Sequence, residues 1–435
     1  MYTRRFFVYS MLCAVVCAVF LFPLHAVSGT DEGSAGPVSS GSAASTGGKI
    51  TRGDGSASAG STVYRAFVRE NIAGKSALIK NIDVSSQDCV AVCMQALSFV
   101  QSNYELFADD AQFSLLACET VQKSLVCLKN DALPYWEKLF SITNDSALQT
   151  VILESFASLA AQNASAGANA AVLFTRAADL VNSYVQHIVF SQKTDTNEVL
   201  LKAVKTLGKI GRASSFSVLF ACYTSPDSRL SAAAFDALKN LSAVYQKPVK
   251  ELIVNGSITE KRLALELVLK NDANSDFFKA EMAAQALSQA VYEAAQKNSA
   301  DEQLTVLQMT AVRELYRVSW TRSPDLMKQV FILSQNQYEQ GLLSKDNFIE
   351  IIRAFTRLAS TEEGSHLTAY LKTLNRKQEK NSANPPDPQV VLAVVQSLAL
   401  LGDKVAFDDL LYATYQNYPD IVVSAAKEAL SKLKW

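Results

Sequence analysis

Histidine is nearly absent: the 435-residue chain has three. His25 lies in an apolar leader, which leaves His187 and His366, far apart in sequence and with no cysteine or carboxylate at ligand spacing. This excludes a histidine-built metal centre and a Ser-His-Asp triad. The chain also lacks a glycine-rich phosphate loop, a His-Glu-x-x-His helix and a calcium-loop pattern. We therefore expect no enzyme, no cofactor and no metal. Glycine (17) and proline (10) are few, so the long periodic segments run with few breakers. No stretch alternates as a half-buried strand does. Charge of one sign is missing too, with 41 basic against 42 acidic residues. Without a basic field, nucleic acid is not an expected partner.

Of seven cysteines, Cys13 and Cys17 sit in the leader, and Cys89, Cys93, Cys118, Cys127 and Cys222 follow it. Cys89 and Cys93, in CVAVC, share a helix face and are poorly placed to bridge each other. Cys118 and Cys127 fall on the next predicted helix. One bridge between these two helices is an option outside the cytoplasm. The other option is five small buried apolar residues. The pairing stays open. An odd count leaves at least one thiol free or paired with another molecule.

The N-terminus reads as targeting. Arg4 and Arg5 precede an apolar run from Phe6 to Leu24, and Ala26-Val27-Ser28 offers small residues for a peptidase. Residues 1–28 are read as a signal peptide cut before Gly29, or as an uncleaved membrane anchor. Both place the remainder outside the cytoplasm, periplasmic or secreted, with a membrane contact only if that segment is retained. The arginine pair also resembles a twin-arginine signal, although so apolar a run favours the general secretory route. Residues 29–62 are rich in Gly, Ser, Ala and Thr and read as a disordered linker. Arg52-Gly53-Asp54 within it is read as a chance match to an adhesive tripeptide.

From Val63 onward the chain reads as helix after helix. LLKAVKTLGKIG places Leu200, Val204, Leu207 and Ile210 on one face, then stops at Gly211. Asp227 opens a second helix whose apolar side is Leu230, Ala233, Ala234, Leu238 and Leu241. The segment Val121–Ala160 lies over Ala203–Ser242 without a gap. Leu125 falls on Leu207, Asp145 on Asp227 and Phe156 on Leu238. A third copy closes the chain, where Leu398, Leu401 and Gly402 take the parts of Leu207, Ile210 and Gly211. Two helices per period of about 40 residues mark helical solenoids. AVKTLGKIG followed by D-S-R-L-S-A-A-A-F-D-A-L resembles HEAT repeats of the short, bacterial, lyase type. The resemblance is good over Val199–Leu241 and Pro388–Leu433, and fair over Val121–Leu159. It is faint over Val63–Leu116 and Ser257–Thr373. It implies an all-α fold, an α-α superhelix of HEAT- or armadillo-like hairpins spanning 63–435. Gly211 and Gly402 are then structural, turning the chain back so that each hairpin stacks on the next.

The binding candidate is AVRELYRVSWTRS. Arg313 and Arg317 are one turn apart, as are Tyr316 and Trp320. The stripe Leu304, Leu307, Ala311 and Leu315 faces the core, so the arginines face outward and suit a partner's carboxylates and aromatics. The alternative is a solvated arginine pair, with Trp320 sealing the core. His187 is expected as a half-buried helix residue. Together these features imply an exported, non-enzymatic scaffold for protein–protein interaction in the cell envelope, its partner unidentified and a tether to the inner membrane possible. Two rivals stand. One is an envelope protein that binds a cell-wall or other polymer. The other, implied only by the lyase-type resemblance, is an enzyme handling a bilin or cofactor.

Overall fold

The computed structural model describes residues 62–163, 172–191, 198–296, 301–358, 364–380 and 385–434. The signal segment 1–28, the linker up to residue 61 with Arg52-Gly53-Asp54, and Trp435 lie outside the described residues. Within them there are twenty α-helices, short 3-10 turns and no strand; one isolated bridge joins Asp403 to Lys434. The fold is all-α, as the sequence implies.

The first five helices are α1 (Thr62–Arg69), α2 (Ile72–Asn81), α3 (Asp88–Phe107), α4 (Ala111–Cys127) and α5 (Leu133–Ile142). Next come α6 (Ser146–Asn163), α7 (Thr175–Phe190), α8 (Glu198–Ile210), α9 (Phe216–Tyr223) and α10 (Ser228–Asn240). Then follow α11 (Gln246–Asn255), α12 (Ile258–Leu269), α13 (Asp276–Gln296), α14 (Glu302–Val318) and α15 (Pro324–Glu339). The last are α16 (Lys345–Leu358), α17 (Gly364–Glu379), α18 (Pro388–Leu401), α19 (Phe407–Tyr415) and α20 (Asp420–Ser431). Thr62, read from sequence as the last linker residue, opens α1 instead.

Order along the chain is order in space. Each odd helix packs on the even helix that follows it, from α1 on α2 to α19 on α20. Even helices also stack on one another without a break, α2 on α4 through α18 on α20. The odd helices stack likewise over α1–α9, α11–α15 and α17–α19. A hairpin with one apolar face has nothing of its own to bury that face against, so the next hairpin covers it. One connected core runs from Phe67 to Leu433.

The punctuation is physical. Ser146 and Ser228 open α6 and α10 at positions 82 apart, and each helix is capped by the preceding aspartate. Asp145 Oδ1 accepts from the Ala147 amide and Asp227 Oδ1 from the Arg229 amide, both at 2.8 Å, filling donors a helix start leaves unpaired. Gly211 (φ 71°) and Gly402 (φ 66°) are left-handed. Their amides donate to the carbonyls of Leu207 and Leu398 at 3.0 and 2.9 Å, closing α8 and α18 where a side chain would strain the backbone. Gly208 serves a different need. A Cβ there would stand 2.6 Å from Ala237 Cα, so α8 and α10 cross with their backbones close.

Of the two readings left open for the cysteines, a bridge between the two helices is the one found, and the three others stay free. Cys89 of α3 is bridged to Cys127 of α4, with Cα atoms 5.9 Å apart. Cys93, Cys118 and Cys222 are free thiols. His187 is exposed rather than half-buried. It lies two residues, about 200° of helical turn, past the buried Val185. Among the described residues, no helix is long and apolar enough to cross a membrane.

Candidate functional site

The core stripe of α14 is as its spacing implies: Leu304, Leu307, Ala311 and Leu315 are all buried. Arg313 and Arg317 consequently point outward, but neither is idle. Arg313 clamps Glu350 of α16 in a two-pronged ion pair, Nε to Oε1 at 2.9 Å and Nη2 to Oε2 at 2.8 Å. Arg317 makes the same fork to Glu314 at 2.9 and 2.8 Å and also reaches Asp276 of α13. Donating to these carboxylates raises the pKa of both guanidinium groups, and the Arg317 bond holds Asp276 below the ordinary carboxylate range. Trp320 is half-buried, edge-on to Phe277 at 5.4 Å, with its Nε1 donating to Ser323 Oγ at 3.4 Å. Of the four residues singled out in the sequence, Tyr316, 40% exposed, and the ion-paired Arg313 line open space.

That space is a groove over the even helices α14, α16 and α18. It has three contiguous segments of about 400, 340 and 380 Å³. Arg353 lines all three and sits where they meet. Its guanidinium is exposed, and no hydrogen bond or ion pair engages it within the described residues. One turn on, Arg357 lies over the Tyr316 ring at 4.8 Å and donates from Nη2 to Ser319 Oγ at 2.6 Å. Ser319 ends α14 in a left-handed conformation (φ 56°). A serine there costs about 1–2 kcal/mol, and its hydroxyl fixes Arg357. From α18 come Gln389 and Gln396, and Leu400 is 78% exposed.

The sequence places these side chains by leaving them off the core. On α16 the buried stripe is Phe348, Ile351, Ile352, Phe355 and Leu358, so Arg353 and Arg357 fall on the other side. Ring contacts seat that stripe: Phe331 of α15 stacks on Phe355 at 4.8 Å, and Tyr370 of α17 meets Phe348 edge-on at 5.7 Å. The groove floor is therefore fixed by aromatic packing behind it, while the guanidinium groups stay in front. A partly desolvated guanidinium recognises a carboxylate with two parallel hydrogen bonds. The exposed Leu400 and the half-buried Leu392 lie beside it.

Arg353 and Arg357 escape a sequence reading, since helix α16 lies where the repeat pattern is faint and the groove exists only once three hairpins stack. The spacing of four residues between them was the one available signal. Among the described residues, one compact group has metal-ligand chemistry, the sulfurs of Cys89, Cys93 and Cys127 on α3 and α4. No protein-family model and no curated protein matches the chain.

Proposed function

We propose that this chain is an exported, HEAT-like α-solenoid. It acts as a non-enzymatic interaction scaffold in the cell envelope and holds an acidic, partly apolar segment of a partner protein in the groove over α14, α16 and α18. The observation that carries this reading is Arg353, an exposed guanidinium without a partner among the described residues, at the meeting point of three groove segments. Arg357, lying over the Tyr316 ring, extends the cationic side, and Leu392 and Leu400 supply apolar contact. The export of the chain rests on the leader Arg4–Leu24 and the small residues at Ala26 and Ser28. The solenoid reading is supported by the even helices stacking without a break. The polymer reading has less support, because Tyr316 is the one aromatic lining the groove and Arg357 covers it.

The test is fluorescence anisotropy with the purified full chain. One labelled peptide alternates Glu and Leu, and its control alternates Lys and Leu. The acidic peptide binds, added salt weakens it, and the basic peptide does not bind. Arg353→Glu/Arg357→Glu lowers affinity by about 100-fold, the effect of about 3 kcal/mol from juxtaposed like charges. Equal binding of both peptides, or an unchanged affinity in the double variant, refutes the assignment.

A further inference from the structure

Three sulfur atoms converge at the junction of α3 and α4. Cys89 and Cys93 lie one turn apart on α3, and Cys127 ends α4. The Sγ atoms of all three lie within 4.8 Å of one another. Cys89 and Cys127 are joined, while Cys93 keeps its thiol at 0% exposure. Cys118 and Cys222 are also free, but neither belongs to the cluster.

We propose that, once the Cys89–Cys127 bridge is reduced, Cys89, Cys93 and Cys127 bind one soft d10 metal ion, monovalent copper, through three sulfurs. The ligand set decides the class of metal. Thiolates select soft ions, whereas calcium and magnesium take oxygen donors. Zinc sites of the structural kind use four protein ligands, and the cluster offers three. Size agrees as well. With metal–sulfur bonds of about 2.3 Å, the corners of a trigonal site stand about 4 Å apart. The bridged sulfurs have only to part to that separation, and the third already lies within 4.8 Å of both.

The steps balance. A dithiol reductant gives two electrons and two protons to the Cys89–Cys127 bond, becoming a disulfide itself and leaving two thiols. Copper(I) then binds, and each sulfur that becomes a thiolate releases its proton to solvent. The oxidised and metal-bound forms exclude each other, because the bridge consumes two of the three ligands.

The experiment uses the full chain, reduced with dithiothreitol and desalted without air. Copper(I) is added as its acetonitrile complex in competition with a chromophoric chelator. The reduced chain takes one copper per chain with a thiolate-to-copper absorption band, and the oxidised chain shows no such band. Cys93→Ser and Cys127→Ser each lower affinity by more than about 10-fold, since even a residue supporting a ligand is worth that much. Cys118→Ser and Cys222→Ser bind as the parent does. Far-UV circular dichroism confirms that each variant keeps its helices, and Cys127, only half-buried at the end of α4, is the substitution least tied to packing. The proposal is overturned if the reduced chain binds no copper. It is equally overturned if folded Cys93→Ser and Cys127→Ser bind like the parent, or if loss of Cys118 or Cys222 is as damaging.

Discussion

Replacing Gly208 with alanine probes the closest backbone approach between two stacked hairpins. The added methyl carbon would stand 2.6 Å from Ala237 Cα, 2.7 Å from its Cβ and 3.2 Å from its carbonyl oxygen. Carbon atoms in contact keep about 3.5–4.0 Å, so α8 and α10 must part by about 1 Å. Overpacking costs about 1–3 kcal/mol. The upper end applies because the opposing atoms are backbone and cannot rotate away. Alanine returns about 1 kcal/mol of helix propensity. The net is a loss of about 2 kcal/mol, read by urea denaturation followed by far-UV circular dichroism. Lys205→Ala, exposed on the same helix, changes stability by less than about 0.5 kcal/mol. If Gly208→Ala is as stable as the parent or more stable, the helices are not held at this distance and the close-approach argument fails.

The second prediction concerns Tyr245, fully buried, whose hydroxyl accepts from Asn271 Nδ2 at 3.1 Å and Asn274 Nδ2 at 2.7 Å. Each amide keeps one acceptor, the Lys239 carbonyl for Asn271 and the Val268 carbonyl for Asn274, so Tyr245→Phe leaves one buried N–H of each unpaired and costs about 1–3 kcal/mol in the same assay; a neutral result would mean those N–H groups are satisfied without the hydroxyl. Gly211→Ala meets no atom within 4 Å, yet sits at φ 71°. It loses about 1 kcal/mol through the backbone alone, and an unchanged midpoint would contradict that. Glu137 is buried beside Arg176, and burial raises its carboxyl above the ordinary range more than the arginine lowers it. The folded state thus disfavours the charged form. Glu137→Gln stabilises the chain at neutral pH, and the gain fades as pH falls through the Glu137 titration; a loss at neutral pH would put the Arg176 pair first. Burial pushes the Cys222 thiol up to about 12, so iodoacetamide mass mapping of the native chain near pH 8 finds half-exposed Cys118 labelled before Cys222 or Cys93. Rapid modification of Cys222 would show that the core opens there.

Helical periodicity carried most of the fold. The stripes Leu304–Leu315 and Leu230–Leu241 reach the core because burial follows the 3.6-residue turn. Gly211 and Gly402 were legible because a left-handed residue closing a helix favours glycine. Spacing also showed that Arg313 and Arg317 face solvent, but not that each is held by a carboxylate. Glu350 lies 37 residues after Arg313 and Asp276 lies 41 before Arg317. Those two pairings come from the offset between stacked helices, which no local pattern encodes, whereas the Glu314–Arg317 pair is an ordinary i,i+3 contact within α14. The same offset builds the groove around Arg353. It also chooses Cys89 over Cys93 as the partner of Cys127, since both lie on the same face of α3.

The central claim is that the groove receives an acidic segment of another protein. The direct measurement is site-specific photocrosslinking in living cells of the source organism. A photoreactive residue replaces Gln396, which lines the groove, and the adduct is mapped by mass spectrometry. The account predicts one reproducible adduct with an envelope protein, joined within a run of Asp or Glu beside apolar residues and lost in Arg353→Glu/Arg357→Glu. An adduct mapped to a basic segment, one that persists in the double variant, or none above a photoreactive residue on the far side of the chain would contradict it.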